Sequence, residues 1–159
     1  MKELVDGRGL ATWRAFLSAH ATTLARIEAD LADHALVPLE WYDLLVAIQL
    51  APRSRLRMRD LADALLLTRS NATRLVDRLE ASGLVARAQA EEDRRGAVAL
   101  LTPAGRQALR RAWPVYARGI NEYFLSFLAP KEQKLLTAAL SRVEGGARSA
   151  TRPPGAAPR

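Results

Sequence analysis

Apolar residues recur at helical spacing through most of the chain. Between Leu10 and Leu31 they form a narrow stripe whose members are separated alternately by four and three residues, which is typical of a helix that packs on another helix. The stripe consists of Trp13, Leu17, His20, Leu24, Ile27 and Leu31. A second helix is predicted between Pro38 and Pro52, because a proline removes a backbone hydrogen bond from a helix interior.

The middle of the chain predicts a short helix, a tight turn and a capped helix. The short helix covers Met58 to Leu65. Thr68 is the expected N-cap of the next helix, which runs from Arg69 to about Ser82, and Gly83 suits the position just past its end. The buried stripe of this helix is predicted at Leu75, Val76 and Leu79.

Two short strands and two further helices complete the pattern. The strands are predicted at residues 84–90 and 97–102, with the polar segment EEDRRG as the tip of their hairpin. Thr102 and Pro103 begin a helix that should reach Leu128, with a kink or break at Pro114. After Pro130, the segment KEQKLLTAALSRV predicts a last helix, followed by a Gly/Pro-rich tail.

This order predicts a mainly α fold, a winged helix-turn-helix with the arrangement α-α-α-α-β-β-α-α. The terminal helices carry more apolar surface than the small central module could cover, so we expect them to form the dimerisation region of a homodimer. The expected divisions are an N-terminal dimerisation helix in residues 1–34, a winged helix-turn-helix lobe in 35–102, C-terminal dimerisation helices in 103–145, and a disordered tail in 146–159.

Composition narrows the class of protein. The chain has 159 residues, of which 49% are apolar, and no apolar run approaches the ~20 residues that span a bilayer. It has no secretory signal pattern and no cysteine, so we expect a cytoplasmic protein without membrane attachment. With two histidines, no glycine-rich phosphate loop and no metal-ligand spacing, we expect no catalytic site, no metal, no cofactor and no enzyme activity.

The distribution of positive charge indicates a partner. The formal net charge is +7, and arginines are concentrated in the central helices and at the hairpin tip. The outward face of the capped helix is predicted to present Arg69, Ser70, Thr73, Arg74 and Asp77, flanked by Asn71 and Arg78. Side chains of these types on one helix suit the edges of bases in the major groove of DNA. The alternative is a solvated helix rich in arginine. It is disfavoured because Arg74 and Arg78 are like charges four residues apart and most of the acidic compensation is missing.

The hairpin tip strengthens the DNA interpretation. Arg94 and Arg95 lie at the tip, and we expect one of them, Arg95 in preference, to enter the minor groove beside the capped helix. Asp93 would then hold the shape of the tip. An ordinary charged hairpin is the alternative.

The segment LRMRDLADALLLTRSNATRLVDRLEASGLVARAQAEEDRRGAVALLTPAG closely resembles the MarR (multiple antibiotic resistance regulator) family of winged-helix regulators. The matching elements are T-R-L-V-D-R-L-E with GLV-R through the capped helix, D-R-R at the hairpin tip, and LT-AG into the next helix. This composite covers about a third of the chain, and the flanking helices agree in number and spacing.

The resemblance implies a homodimer that binds pseudo-palindromic operator DNA and represses nearby genes. It places the DNA contacts of the capped helix at Thr68, Arg69, Ser70, Asn71, Thr73, Arg74 and Arg78. It makes Arg95 the arginine of the hairpin tip, with Arg94 beside it and Asp93 as its structural partner. It also implies release by a small aromatic or anionic effector, for which Trp13, His20 and Trp41 are candidate contacts. Packing in the core or at the dimer seam is the alternative for those three.

Two other functions remain open from the sequence. A winged helix can serve as a protein-interaction module without an operator, although such a module has no need for arginines on both DNA-facing elements. A nonspecific DNA-binding protein is the second alternative, which Ser70, Asn71 and Thr73 among the arginines disfavour.

Overall fold

The computed structural model describes residues 5–65, 67–89 and 96–149. Its helices and strands follow one another in the predicted order, with one additional strand. They are α1 (Gly7–Asp33), α2 (Leu39–Leu50), β1 (Arg55–Arg57), α3 (Met58–Ala64), α4 (Arg69–Ala81), β2 (Val85–Gln89), β3 (Ala97–Leu101), α5 (Pro103–Tyr123) and α6 (Pro130–Ser149). Short 3-10 turns cover Pro52–Ser54 and Leu125–Phe127.

The three strands form one antiparallel sheet in the order β1-β3-β2. Leu56 of β1 pairs with Ala99, and Val85 of β2 pairs with Leu101. Strand β1 was not predicted from the sequence. With only three residues, two of them arginines, it offers no recognisable strand pattern, and its pairing with β3 is a tertiary contact. The winged helix-turn-helix fold predicted from the sequence is confirmed.

The predicted helix boundaries rest on local hydrogen bonds that the structure contains. Thr68 accepts a hydrogen bond from the backbone N–H of Asn71 at 3.2 Å, which caps α4. Gly83 has a φ of +71°, the left-handed conformation that ends a helix at low cost for glycine. Thr102 caps α5 by accepting from the N–H of Gly105 at 3.0 Å, with Pro103 in the first turn.

The core lies between α2, α3, α4, the inner face of the sheet, the first part of α5 and the second half of α1. Its largest fully buried side chains are Ile27, Leu31, Leu44, Leu45, Ile48, Leu61, Leu79, Val76 and Val85. Among the described residues no polar or charged side chain is fully buried. The central lobe therefore has an apolar core that fixes the position of α4.

Helix α5 differs from its prediction. It passes through Pro114 without a break and ends at Tyr123 rather than Leu128. Pro114 is exposed, so water can satisfy the carbonyl that its missing N–H leaves unpaired. The buried face is made mainly of small residues, because α5 packs closely against α1: a Cβ on Gly119 would lie 2.8 Å from Cγ1 of Ile27. Two aromatic side chains, Trp113 on α5 and Phe127 just beyond its end, are largely exposed.

The first half of α1 and the whole of α6 extend away from this core. Every residue from Val5 to Thr22 is exposed, including Trp13, whose exposed fraction is 56%. No described side chain of α6 is buried. The helix also continues past its predicted end to Ser149, so residues 146–149 are helical rather than part of a tail. No helix of the described part is long and apolar enough to cross a membrane.

Candidate nucleic-acid interface

Helix α4 presents a clear outward face because its inward face is fully occupied. Ala72, Leu75, Val76 and Leu79 are buried, which confirms the predicted stripe and adds Ala72. At 100° per residue, Ser70, Arg74 and Asp77 then lie at the centre of the exposed face. Asn71 and Arg78 lie along the edge next to α2, and Thr73 and Glu80 along the edge next to β2.

The structure brings the predicted DNA-contacting residues of this helix onto one surface. Arg69, Ser70, Asn71, Thr73, Arg74 and Arg78 are all exposed, and Thr68 precedes them at the cap. The hydroxyl of Thr73 donates to the carbonyl of Arg69 at 2.9 Å, which leaves its lone pairs as the outward group. Among the described residues, the guanidinium groups of Arg69 and Arg74 have no hydrogen-bonding or ionic partner.

Arg78 is held at the α2 edge. Its Nη2 donates to Oε1 of Glu40 at 2.8 Å, across a gap of 38 residues in the chain. Glu40 lies in the first turn of α2, where the helix dipole favours a carboxylate, and Arg78 lies in the last turn of α4, where it favours a cation. The ion pair therefore joins two charges that are each well placed on their own helix.

Arg87 of β2 holds the opposite edge of the helix. Its guanidinium donates to Oδ1 of Asp77 at 2.5 Å, to Oε2 of Glu80 at 2.9 Å and to the carbonyl of Thr73 at 3.4 Å. Its backbone N–H donates to Oε1 of Glu80 at 3.2 Å. Arg87 was not among the site residues predicted from the sequence. The sequence feature that could have indicated its role is that it is a single arginine within the apolar GLVAR segment.

These contacts correct the electrostatic interpretation of α4. The sequence suggested that most acidic compensation for its arginines was missing, but Arg78 is paired with Glu40, and Asp77 and Glu80 share Arg87. The partners come from α2 and β2, too distant in sequence for a local charge pattern to show them. Arg69 and Arg74 remain as the unpaired cations of the helix.

An open cleft of about 570 Å³ separates α4 from the start of α2. Glu40 and Leu67 line one part, and Asn71, Arg74 and Arg78 line another. The cleft is thus lined by three of the predicted DNA contacts, two on the edge of α4 next to α2 and one at the centre of its exposed face.

The hairpin beside α4 is formed by β2 and β3, whose pairing runs from Val85 opposite Leu101 to Gln89 opposite Ala97. The described pairing ends at Gln89 and Ala97. Asp93, Arg94 and Arg95, the predicted minor-groove residues, lie outside the described residues.

The candidate effector contacts are on two different parts of the chain. Trp13 and His20 project from the exposed half of α1, with Phe16 between them at ring-centroid distances of 5.9 Å and 6.1 Å. Trp41 is half-buried on α2 against the core. None of the three lines the cleft beside α4 or a second cleft of about 630 Å³ between α2 and α3.

The second cleft is mainly apolar and carries Asp43 at its edge. Desolvation by burial raises the pKa of the Asp43 carboxyl, and the negative charge of Glu28 raises it further. Next to it on α2, Tyr42 packs on Tyr116 of α5 with ring centroids 4.7 Å apart. Burial raises the pKa of both phenols, and the charge of Asp43 adds to the effect.

Metal coordination finds no support in the part of the chain that the structure describes, since no three His, Cys, Asp or Glu side chains there are grouped to hold an ion. The features that stand out are a capped, exposed helix fixed along both edges and a hairpin beside it. Together they define the class of winged helix-turn-helix proteins.

Comparison with known proteins identifies the family. The profile of the MarR family matches residues 37–96. An HTH-type transcriptional regulator of Bacillus subtilis, YfiV, is 31% identical over 114 residues, which cover 70% of this chain and 69% of that protein. The chain belongs to the MarR family, as the sequence resemblance implied.

Two solved structures from Streptomyces coelicolor are similar over nearly the whole chain. Sco3205, a MarR family transcriptional regulator crystallised in complex with DNA, has a TM-score of 0.86 and 31% identity, and the match covers 94% of each chain. AbsC, another MarR family transcriptional regulator, has a TM-score of 0.84 and 28% identity, covering 92% of this chain and 99% of AbsC.

Proposed function

We propose that this protein is a homodimeric, sequence-specific DNA-binding regulator that represses transcription from a pseudo-palindromic operator. The observation that carries the proposal is the outward face of α4, where Arg69 and Arg74 are exposed and unpaired next to Ser70 and Asn71. Sco3205, similar over 94% of this chain, was crystallised with DNA, which supports the same partner here.

Each predicted contact has a distinct role in this proposal. Arg74, at the centre of the exposed face, is placed to make a bidentate contact with guanine, and Asn71 to pair with adenine. Arg69, Ser70 and Thr73 contact phosphates or base edges near the start of the helix. Thr68 acts through its cap, since its hydroxyl orients the first turn of α4. Arg78 makes a further contact after it leaves Glu40.

The hairpin supplies the second DNA element. Arg95, with Arg94 beside it and Asp93 holding the turn, enters the minor groove next to the major groove that α4 occupies. This assignment rests on the sequence resemblance and on the two strands that flank the tip, whose described pairing ends at Gln89 and Ala97.

Dimerisation follows from the apolar surface that a single chain leaves uncovered. Large apolar side chains are exposed on three terminal helices; they include Leu10, Trp13, Phe16, Leu17, Trp113, Leu135, Leu140 and Val143. Such a surface is typical of an obligate interface. We infer that residues 1–34 and 103–145, with the added last turn of α6, form the dimer, and that residues 35–102 form the DNA-binding lobe.

We also infer regulation by a small aromatic or anionic effector. Trp13 and His20 project from the exposed half of α1, so any site that includes them requires the second chain to complete it. Trp41, half-buried on α2, borders the DNA-binding lobe. The protein acts in the cytoplasm and without a catalytic role in this proposal.

One experiment tests the central proposal. Fluorescence anisotropy would compare binding of the protein to the DNA upstream of its own coding sequence with binding to a random duplex, across a series of salt concentrations. A specific regulator should prefer the upstream DNA by ~10³-fold or more. Equal affinities would favour a nonspecific DNA-binding protein, and no binding at low salt would favour an interaction module.

Single substitutions then test the assigned contacts. Arg74→Ala and Arg95→Ala should each weaken operator binding by about tenfold or more, the cost of a lost specific contact. Arg111→Ala, which removes an exposed arginine from α5, is the matched control. If Arg74→Ala and Arg111→Ala behave alike, α4 does not read the operator in the way proposed.

A further inference from the structure

The ion pair between Arg78 and Glu40 lies directly at the edge of the proposed DNA-binding face. Both side chains are about half exposed, at 54% and 53%, so water and other ions reach the pair. An exposed ion pair of this kind favours its paired state over its separated state by no more than about fivefold. It can therefore open when a better partner for Arg78 arrives.

The ionic contacts leave α4 with little net charge. The charged side chains of the helix and their partners comprise four arginines (Arg69, Arg74, Arg78 and Arg87) and three carboxylates (Glu40, Asp77 and Glu80). One net positive charge remains. Because nonspecific DNA binding is driven by the neutralisation of phosphates, this surface is expected to attract random DNA only weakly.

We propose that Glu40 is a specificity-determining residue, which withholds Arg78 from the phosphates of non-operator DNA and releases it on the operator. The proposal rests on the function proposed above. On random DNA, phosphates approach α4 at variable distance, and the carboxylate of Glu40 remains the nearest anion to Arg78. On the operator, the close fit of Asn71 and Arg74 brings one phosphate or base edge into the cleft, where it replaces Glu40.

The cleft beside α4 provides the space for this exchange. Glu40, Arg78, Asn71 and Arg74 all line the same opening of about 570 Å³. Arg78 therefore needs only a rotation of its side chain to move from Glu40 towards DNA that lies against α4. Glu40 is the anion that competes with that DNA.

Substitution of Glu40 by glutamine tests the proposal while preserving the shape of the side chain. Glu40→Gln should raise affinity for random duplex about fivefold and steepen its salt dependence by about 0.9 in log–log slope, the equivalent of one added phosphate contact. Affinity for the operator should rise less, so the preference for the operator should fall. Glu122→Gln, which removes an equally negative, exposed side chain from the last turn of α5, is the matched control.

A second variant separates this role from a purely structural link between α2 and α4. Arg78→Ala alone should weaken operator binding, but it also frees the carboxylate of Glu40 to repel any duplex. Arg78→Ala combined with Glu40→Gln removes both charges, so this double variant should bind random duplex like the wild type and the operator more weakly. Thermal unfolding of each variant reports any loss of stability separately from DNA affinity.

Three results would overturn the proposal. Glu40→Gln and Glu122→Gln could raise both affinities equally, which would show a general effect of net charge. The double variant could bind random duplex more weakly than the wild type, which would show that Arg78 already contacts the phosphates of non-operator DNA. Arg78→Ala could leave operator binding unchanged, which would show that Arg78 never reaches DNA. A wild-type protein without preference for its upstream DNA would instead contradict the proposed function.

Discussion

Arg87 of β2 donates a hydrogen bond to Asp77 of α4 over 2.5 Å, and the same guanidinium reaches Glu80 one turn later. One residue of the hairpin thus contacts two carboxylates of the helix beside it. With Glu40 paired to Arg78 on the other side, α4 is held along both edges. Its rotation about its own axis is therefore set by ion pairs as well as by its buried stripe.

We expect Arg87→Ala to weaken operator binding by about tenfold or more and to lower the stability of the protein by only about 1 kcal/mol. The stability loss is small because the ion pairs are partly exposed. The loss of affinity is larger because two carboxylates near the DNA lose their cation and repel phosphates. Anisotropy and thermal unfolding measure the two effects.

A companion variant separates charge from position. Arg87→Ala combined with Asp77→Asn and Glu80→Gln removes the repulsion but not the loss of the link between β2 and α4. If Arg87 also fixes the position of α4 relative to β2, this triple variant should still bind the operator more weakly than the wild type. Its affinity for random duplex should then equal that of the wild type. Full recovery of operator binding would show that Arg87 acts through charge alone. Arg87→Lys should retain the positive charge of the wild type but lose the simultaneous contact with both carboxylates.

Gly105 should tolerate no side chain. A Cβ at this position would overlap the carbonyl oxygen of Leu84 and lie 2.8 Å from Cδ1 of Leu101. Gly105→Ala should therefore cost about 1–3 kcal/mol, measured by urea unfolding, because the backbone of Leu84 cannot move without disturbing the sheet. Gly145→Ala is the control: it meets nothing within 4 Å on α6, and the helix propensity of alanine should make it neutral or stabilising. Equal effects would contradict the packing explanation.

The exposed half of α1 should be required for dimer formation. Leu17→Glu places a charge on the apolar stripe and should shift the protein towards monomer, as measured by sedimentation velocity over a concentration series. Thr22→Glu adds the same charge on the opposite face of the helix and should leave the dimer intact. An intact dimer in the Leu17→Glu variant would place the interface elsewhere.

Asp43 should make stability depend on pH. Burial and the charge of Glu28 raise the pKa of its carboxyl, so the folded protein prefers the protonated form more than the unfolded chain does. Its contribution to stability is then most favourable below the ordinary pKa of an aspartate, and it is lost as the pH rises through the raised value. Asp43→Asn should stabilise the protein at neutral pH.

The gain from Asp43→Asn should shrink as the pH falls towards the ordinary aspartate value, because the wild-type carboxyl is then neutral as well. Urea unfolding of both proteins at several pH values measures this difference. A gain of equal size at every pH would indicate a new hydrogen bond from the amide rather than relief of a partly desolvated charge.

Local chemistry made much of the fold predictable. Thr68, Gly83, and Thr102 with Pro103 mark helix ends through hydrogen bonds and backbone angles that involve only a few neighbouring residues. The stripe of Leu75, Val76 and Leu79 follows from helical periodicity alone. These features identify α4 and its exposed face without knowledge of what packs around them.

The sequence by itself therefore determined the order of the main helices, the capped helix with its hairpin and the family, because each depends on local pattern or on a contiguous motif. Only the tertiary structure decided which charges of α4 remain unpaired. Glu40 and Arg87 reach that helix from other elements, and their ion pairs depend on distances that chain folding creates. The same holds for β1, which exists as a strand only because β3 lies beside it.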